Sequence, residues 1–141
     1  MTISVIYHYN RGETFRLAEA IAKRCGVEPI EISKAHVLPD TDLLFVGMST
    51  HHGKPDDILM DYLDQLPVNK IRGAAIFSTH RNAQDRTALA VNLLEHKGIT
   101  VFPERFVCLQ PYLMRNKDRP NKDDVRNVLV FTERVLSSFN G

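Results

Sequence analysis

One stretch of this sequence, Tyr9-Asn10-Arg11-Gly12-Glu13-Thr14, combines residue types and a position that suit the binding of an anion. Residues 3–7 before it are β-branched and aromatic, which predicts a strand. The run after it predicts a helix, because apolar residues recur at the spacing of one helix face, at Ala18, Ile21, Ala22 and Cys25. The first N–H groups of such a helix lack intrahelical partners and lie at the positive end of its dipole. The sequence therefore predicts a phosphate site at this turn.

Strand and helix patterns alternate along the whole chain. Strand patterns occur at residues 3–7, 27–32, 42–47, 73–77 and 99–108. Pro29 suits an edge position for the second strand, Pro103 interrupts the fifth, and a helix is predicted to open at Pro55. Alternation of this kind implies right-handed crossovers and a parallel sheet that is covered on both faces. We expect a single α/β domain over residues 1–141, a three-layer α/β/α sandwich with a five-stranded parallel sheet of order 2-1-3-4-5.

Polar residues follow the third and fourth strands, and we expect them to form loops at residues 48–54 and 78–82. In a parallel sheet of this order, ligands bind outside the carboxyl ends of the strands, at the switch point between strands one and three. That rule places both loops beside residues 9–14, around one crevice. The candidate residues after the third strand are Ser49, Thr50, His51, His52 and Gly53. Those after the fourth strand are Ser78, Thr79, His80 and Arg81.

Histidines and cysteines are the residues of this chain that could bind a metal or act as nucleophiles. The histidines at the predicted strand ends are His8, His51, His52 and His80, but no carboxylate or thiolate accompanies them at a recognised ligand spacing. Cys25 and Cys108 belong to no CxxC pair, and both are predicted to be buried thiols. We therefore predict no metal site.

Composition excludes several classes of partner. The 141 residues are 43% apolar and 25% charged, with a formal net charge of +1, and they contain no basic-aromatic cluster typical of nucleic-acid binding. The apolar runs are shorter than the roughly 20 residues that a membrane span needs. The N-terminus lacks a basic-then-apolar signal pattern, so we expect a cytoplasmic protein with no nucleic-acid or membrane partner.

Three segments of the sequence resemble flavodoxins, in particular the short flavodoxin-like proteins without a long insertion in the fifth strand. Residues 7–14 match the family's Ser/Thr-x-Thr-Gly-x-Thr loop, keeping Gly12 and Thr14, with Tyr9 and Arg11 at two hydroxyl positions. Residues 43–55 are similar to the strand-three loop that often reads Gly-Ser-Pro-Thr-Tyr-Gly-Gly, and His51 stands at the aromatic position. Residues 119–125 resemble the Pro-Asn-x-Glu-Asp-Leu start of the last helix.

This resemblance implies that the crevice binds flavin mononucleotide (FMN) and that the protein transfers electrons between redox partner proteins, as a monomer or weak homodimer. It also implies that the chain has no catalytic residue of its own, because the flavin supplies the redox chemistry. The turn at residues 9–14 would hold the phosphate, with Arg11 offsetting the missing hydroxyls. Two alternatives remain. One is a flavin-dependent reductase of a small quinone-like acceptor, with Tyr112, Met114 and Arg115 walling a cavity. The other is a flavin-free anion-binding or regulatory module on the same fold.

Overall fold

A computed structural model describes residues 1–8, 13–34, 37–51, 54–67, 71–80, 87–109 and 119–140. Its strands are β1 (Ile3–Tyr7), β2 (Pro29–Glu31), β3 (Leu43–His51), β4 (Lys54–Pro55), β5 (Gly73–His80), β6 (Thr100–Val101) and β7 (Phe106–Leu109). Its α-helices are α1 (Glu13–Cys25), α2 (Asp57–Asp64), α3 (Ala88–His96) and α4 (Lys122–Asn140). A 3-10 turn spans Ile32–Lys34.

The sheet has the predicted order. The strands β2, β1, β3 and β5 are neighbours and parallel, and β6 and β7 both pair with β5 on its far side, also in parallel. The predicted fifth strand is therefore divided into β6 and β7, which lie on either side of Pro103. Proline cannot donate a ladder hydrogen bond, which accounts for the break. The order 2-1-3-4-5 is confirmed.

Two apolar cores cover the two faces of the sheet, as a three-layer sandwich requires. Side chains alternate along each strand, so Phe45 packs on one face and Leu44 on the other. The face of Phe45 is covered by α1 and α4, through Leu17, Ile21, Val128 and Val135. The opposite face is covered by α2 and α3, through Leu59, Leu63, Val91 and Leu94. Each fully buried large apolar side chain contributes about 1.5–3 kcal/mol, which stabilises the layers.

Several predicted element boundaries were wrong at the carboxyl end of the sheet. β3 continues to His51 and β5 to His80, so most of the residues predicted for the two polar loops lie in strands. Pairing with neighbouring strands explains the extension, since Ser49 is in register with Thr79, and Thr79 with Cys108. The second helix opens at Asp57 rather than at Pro55, which belongs to β4.

Capping residues define the start of α2 and the end of α1. Asp56 is the N-cap of α2, and its Oδ1 accepts a hydrogen bond of 2.8 Å from the backbone N–H of Ile58. Gly26 follows α1 with a φ of 74°, a left-handed conformation that glycine adopts without steric cost.

Within the described ranges, none of the helices has both the length and the apolar character needed to cross a membrane.

Candidate functional site

The predicted site residues divide by how the structure describes them. Glu13, Thr14, Ser49, Ser78 and Thr79 are described with their side chains. Only the backbone is described for Thr50, His51 and His80, which lie in β3 and β5. Outside the described residues lie Tyr9, Asn10, Arg11, Gly12, His52, Gly53 and Arg81, together with Tyr112, Met114 and Arg115.

Thr14 in the first turn of α1 contacts Thr79 near the end of β5. Their Oγ1 atoms are 3.0 Å apart, and both residues are buried, at 1% and 0% exposure. The observed partner is 65 residues away in the chain, and no local pattern indicates it. A hydroxyl has one donor and two acceptor positions, so this bond leaves further capacity on each oxygen.

Two further buried hydroxyl groups lie at the same end of the sheet as the Thr14–Thr79 pair. Ser49 and Ser78 are buried at the ends of β3 and β5, and the register places Ser49 beside Thr79. Thr79 is also in register with Cys108 of β7. The carboxyl end of the sheet therefore carries a group of buried polar side chains where the predicted crevice begins.

His8 and Asp56 make a second polar contact at this end of the sheet. His8 follows the last residue of β1, and its Nδ1 lies against Oδ2 of Asp56, the N-cap residue of α2. The His8 and Asp56 side chains are 16% and 12% exposed. The sequence predicts His8 at a strand end but does not indicate Asp56 as its partner. The partnership depends on the fold, because 48 residues separate the two.

A third polar cluster lies at the start of α4, where Asp124 also interacts with Cys108 of β7. Arg119 donates two hydrogen bonds to Asp124, with Nε 2.5 Å from Oδ2 and Nη2 2.6 Å from Oδ1. The backbone N–H of Asn121 also donates to Asp124 Oδ2, at 2.8 Å. Burial raises the pKa of Asp124, but these hydrogen bonds lower it by more, so its pKa lies below the ordinary value. Arg16 of α1 joins the cluster through a 2.6 Å bond from Nη1 to the carbonyl of Pro120.

The two thiols do not form a reactive site. Burial, with a further contribution from the charge of Asp124, raises the pKa of Cys108 to about 12, so the thiol stays protonated at neutral pH. Burial also raises the pKa of Cys25. The prediction of buried thiols is confirmed for Cys108, whereas Cys25 is only half-buried.

Known structures share this arrangement of strands and helices. The chain is 19% identical to oxidised flavodoxin 1 from Bacillus cereus and superposes on it with a TM-score of 0.77, covering 97% of this chain and 98% of that one. A flavodoxin from the domain Archaea gives 19% identity and a TM-score of 0.77, covering 100% of both chains. The chain has the flavodoxin-like fold. The similarity extends to the apo form of an NADH:FMN oxidoreductase, with 15% identity, a TM-score of 0.70, and 98% of this chain and 90% of that chain covered.

No protein-family model and no curated protein matches the chain. The flavodoxin-like fold places the start of α1 beside the carboxyl ends of β1, β3 and β5, at the switch point in strand order. The fold expected from the sequence is confirmed.

The donor set at the switch point of this flavodoxin-like fold suits a phosphate group. The first N–H groups of α1 have no intrahelical partner, and the hydroxyl of Thr14 lies in the same turn. The acidic residue of that turn is Glu13, which is half-buried and would repel an anion if its carboxylate faced it. The fit to a phosphate therefore rests on neutral hydrogen-bond donors, which are the N–H groups of α1 and the hydroxyl of Thr14.

Metal binding finds no support among the side chains that the structure describes. No group of three or more His, Cys, Asp or Glu residues converges there to hold an ion. His8 makes its described contact with Asp56, while the side chains of His51, His52 and His80 are outside the description. The lack of a metal site remains a prediction for the whole chain.

Proposed function

We propose that this protein binds FMN at the carboxyl end of its sheet and carries electrons between partner proteins in the cytoplasm. The observation that carries the proposal is the contact between Thr14 in the first turn of α1 and Thr79 of β5, which brings the start of α1 to the switch point of a flavodoxin-like fold. Bound flavin would supply the redox chemistry, and the protein would set its position and electrostatic surroundings.

In this proposal the three predicted segments have different roles. Residues 9–14 hold the phosphate through backbone N–H groups at the start of α1, with Arg11 adding a charge-assisted contact. Residues 49–53 and 78–81 border the ring system, and His51 stands where an aromatic side chain would stack. The proposal assigns no catalytic residue to the chain, since the flavin would supply the redox chemistry. The described thiol at this end, Cys108, is buried and has a raised pKa.

The direct experiment is a titration of the purified apoprotein with FMN, followed by quenching of flavin fluorescence, with riboflavin as the matched ligand. Riboflavin has the same ring system without the phosphate, so a phosphate site predicts affinity for FMN at least about tenfold higher. Arg11→Ala should reduce that preference. A protein that is colourless as purified and binds neither ligand would refute the proposal.

A reductase of a small acceptor is the second candidate, and the similarity to an NADH:FMN oxidoreductase favours testing it. Steady-state oxidation of NADH with a quinone as acceptor separates the two functions. An enzyme turns over with these two substrates alone, whereas a carrier requires a partner protein to reduce it.

A flavin-free module is the third candidate. The observation that favours it is the hydrogen bond between Thr14 and Thr79, which gives the Thr14 hydroxyl a partner within the protein. In such a module the crevice would hold another anion. Failure of FMN binding together with protection by inorganic phosphate against unfolding would favour this reading, because a ligand that binds only the folded state stabilises it.

A further inference from the structure

The hairpin formed by β3 and β4 brings Asp56 back toward the end of β1. Tyr7, the last residue of β1, is in register with Gly47, so His8 follows at about the level of Met48. Beyond that level β3 runs on to His51, and the antiparallel β4 then returns, with Pro55 opposite Thr50. The next residue, Asp56, therefore reaches the level of Ser49, close to His8. The contact between His8 and Asp56 follows from this geometry.

The two oxygens of Asp56 serve two different elements. Oδ1 caps α2 by accepting the N–H of Ile58 at 2.8 Å, while Oδ2 contacts Nδ1 of His8. An ionised carboxylate can only accept hydrogen bonds, so Nδ1 of His8 is the donor. Both side chains are largely buried, which strengthens the bond relative to one in water. A single carboxylate thus joins the end of β1 to the start of α2.

We propose that His8 and Asp56 are positioning residues that hold the two sides of the crevice at a fixed separation. One side is the end of β1, from which the chain leads into residues 9–12, and the other is the connection from β3 to α2. This inference rests on the proposed binding of FMN, which would contact segments on both sides. Neither residue contacts the flavin in this proposal, since each acts through the segment that it anchors.

Substitutions of Asp56 can separate its contact with His8 from its role as the N-cap of α2. Asp56→Ser keeps a good N-cap residue but removes the partner of His8. Asp56→Asn keeps the cap through its amide oxygen, and its amide nitrogen can donate to Nδ1 of His8 in the neutral tautomer that carries its proton on Nε2. Asp57→Ser is the matched control, because Asp57 is an exposed first-turn residue that loses the same charge. We expect Asp56→Ser to weaken FMN binding about tenfold, Asp56→Asn to recover most of that loss, and Asp57→Ser to change little.

A double-mutant cycle with His8→Ala tests the contact in the apoprotein. If the two side chains act as a pair, adding His8→Ala to Asp56→Ser should shift the urea midpoint and the FMN affinity less than the two single effects combined. The same cycle with Asp57→Ser should be additive.

Equal FMN affinities for Asp56→Ser and Asp57→Ser, or an additive cycle for His8 and Asp56, would overturn this inference while leaving FMN binding intact. Coupling in stability without any effect on FMN affinity would also overturn it. A wild-type protein that binds no FMN would refute both the proposed function and the positioning role.

Discussion

The amino and carboxyl ends of the sheet pair polar side chains in different arrangements. At the amino end, Ser4 bonds to Thr41 with 2.7 Å between their Oγ atoms, and Asp42 accepts from the N–H of Thr2 at 2.9 Å. These residues all lie at or next to the starts of the paired strands β1 and β3. At the carboxyl end, Thr14 bonds to Thr79, and the partners belong to a helix and a strand that are not consecutive.

The bonds at the amino end close a pair of strands, whereas those at the carboxyl end assemble a candidate site. The amino-end bonds satisfy the polar groups of two neighbouring strand starts, a structural task for any sheet. The carboxyl-end contacts join β1 to α2, α1 to β5, and the start of α4 to β7. They therefore fix helices against the carboxyl ends of the strands. Ligands bind at this edge in sheets of this order. Matched substitutions at the two ends can test the distinction.

The largest expected contrast is between Arg119→Ala at the carboxyl end and Arg72→Ala at the amino end. Asp124 has a side chain only 6% exposed, so removing Arg119 would leave a buried carboxylate without its main partner. We expect a loss of about 3 kcal/mol in the free energy of unfolding, measured by urea denaturation. Arg72 is 73% exposed and lies 3.8 Å from Asp42, so its removal should cost less than about 0.5 kcal/mol. Equal losses would show that the Arg119–Asp124 pair contributes no more than a surface pair.

Two glycines provide the next comparison. A Cβ on Gly47 would lie 2.6 Å from Cζ of Phe77 and 3.0 Å from Cγ2 of Thr14, whereas one on Gly73 would lie 2.3 Å from Cε1 of Phe139. Phe77 is fully buried, while Phe139 is only partly buried in the last turn of α4 and can move aside. We expect Gly47→Ala to cost about 2 kcal/mol and Gly73→Ala about 1 kcal/mol in thermal or urea unfolding. A larger loss for Gly73→Ala would mean that Phe139 is held as firmly as Phe77.

Most of the fold could be predicted because its signals are local. Alternating apolar runs, the glycine after α1 and Asn121 before α4 each act within a few residues of the element that they define. The ends of β3 and β5 could not be predicted in the same way. Ser49 and Thr79 resemble loop residues, and their burial depends on pairing between strands and, for Thr79, on contact with α1.

The candidate site could be located from the sequence, but its contacts could not be assigned. The rule for parallel sheets brings Thr14, Ser49 and Thr79 to one end, whatever their detailed partners. The bond between Thr14 and Thr79 and the contact between His8 and Asp56 join residues 65 and 48 positions apart. Such pairs depend on strand register and on the return of β4, neither of which is encoded by a local pattern.

Buried hydroxyl pairs give a smaller and more specific contrast. Thr14→Val removes the hydroxyl partner of Thr79, and we expect a loss of about 1.5 kcal/mol in stability together with weaker FMN binding. Ser4→Ala removes the partner of Thr41, but Thr41 also donates to the carbonyl of Pro39 at 2.7 Å. Its expected cost is therefore about 0.5 kcal/mol, with FMN affinity unchanged. If both variants bound FMN as the wild type does, the Thr14 hydroxyl would have no part in the site.

The smallest effect that we expect is a difference in acid sensitivity between Asp124 and Asp42. The pKa of Asp42 is lowered by hydrogen bonds from the backbone N–H and the hydroxyl of Thr2, and the bonds from Arg119 and Asn121 outweigh burial to lower that of Asp124. A lowered pKa contributes stability above the unfolded value of about 3.9, and this stability is lost as pH falls through the folded value. Urea midpoints between about pH 6 and about pH 3 should therefore fall less in Asp124→Asn than in the wild type. Asp42→Asn should flatten the profile by less, because solvent screens the more exposed Asp42, and the reverse order would place the stronger electrostatic coupling at the amino end.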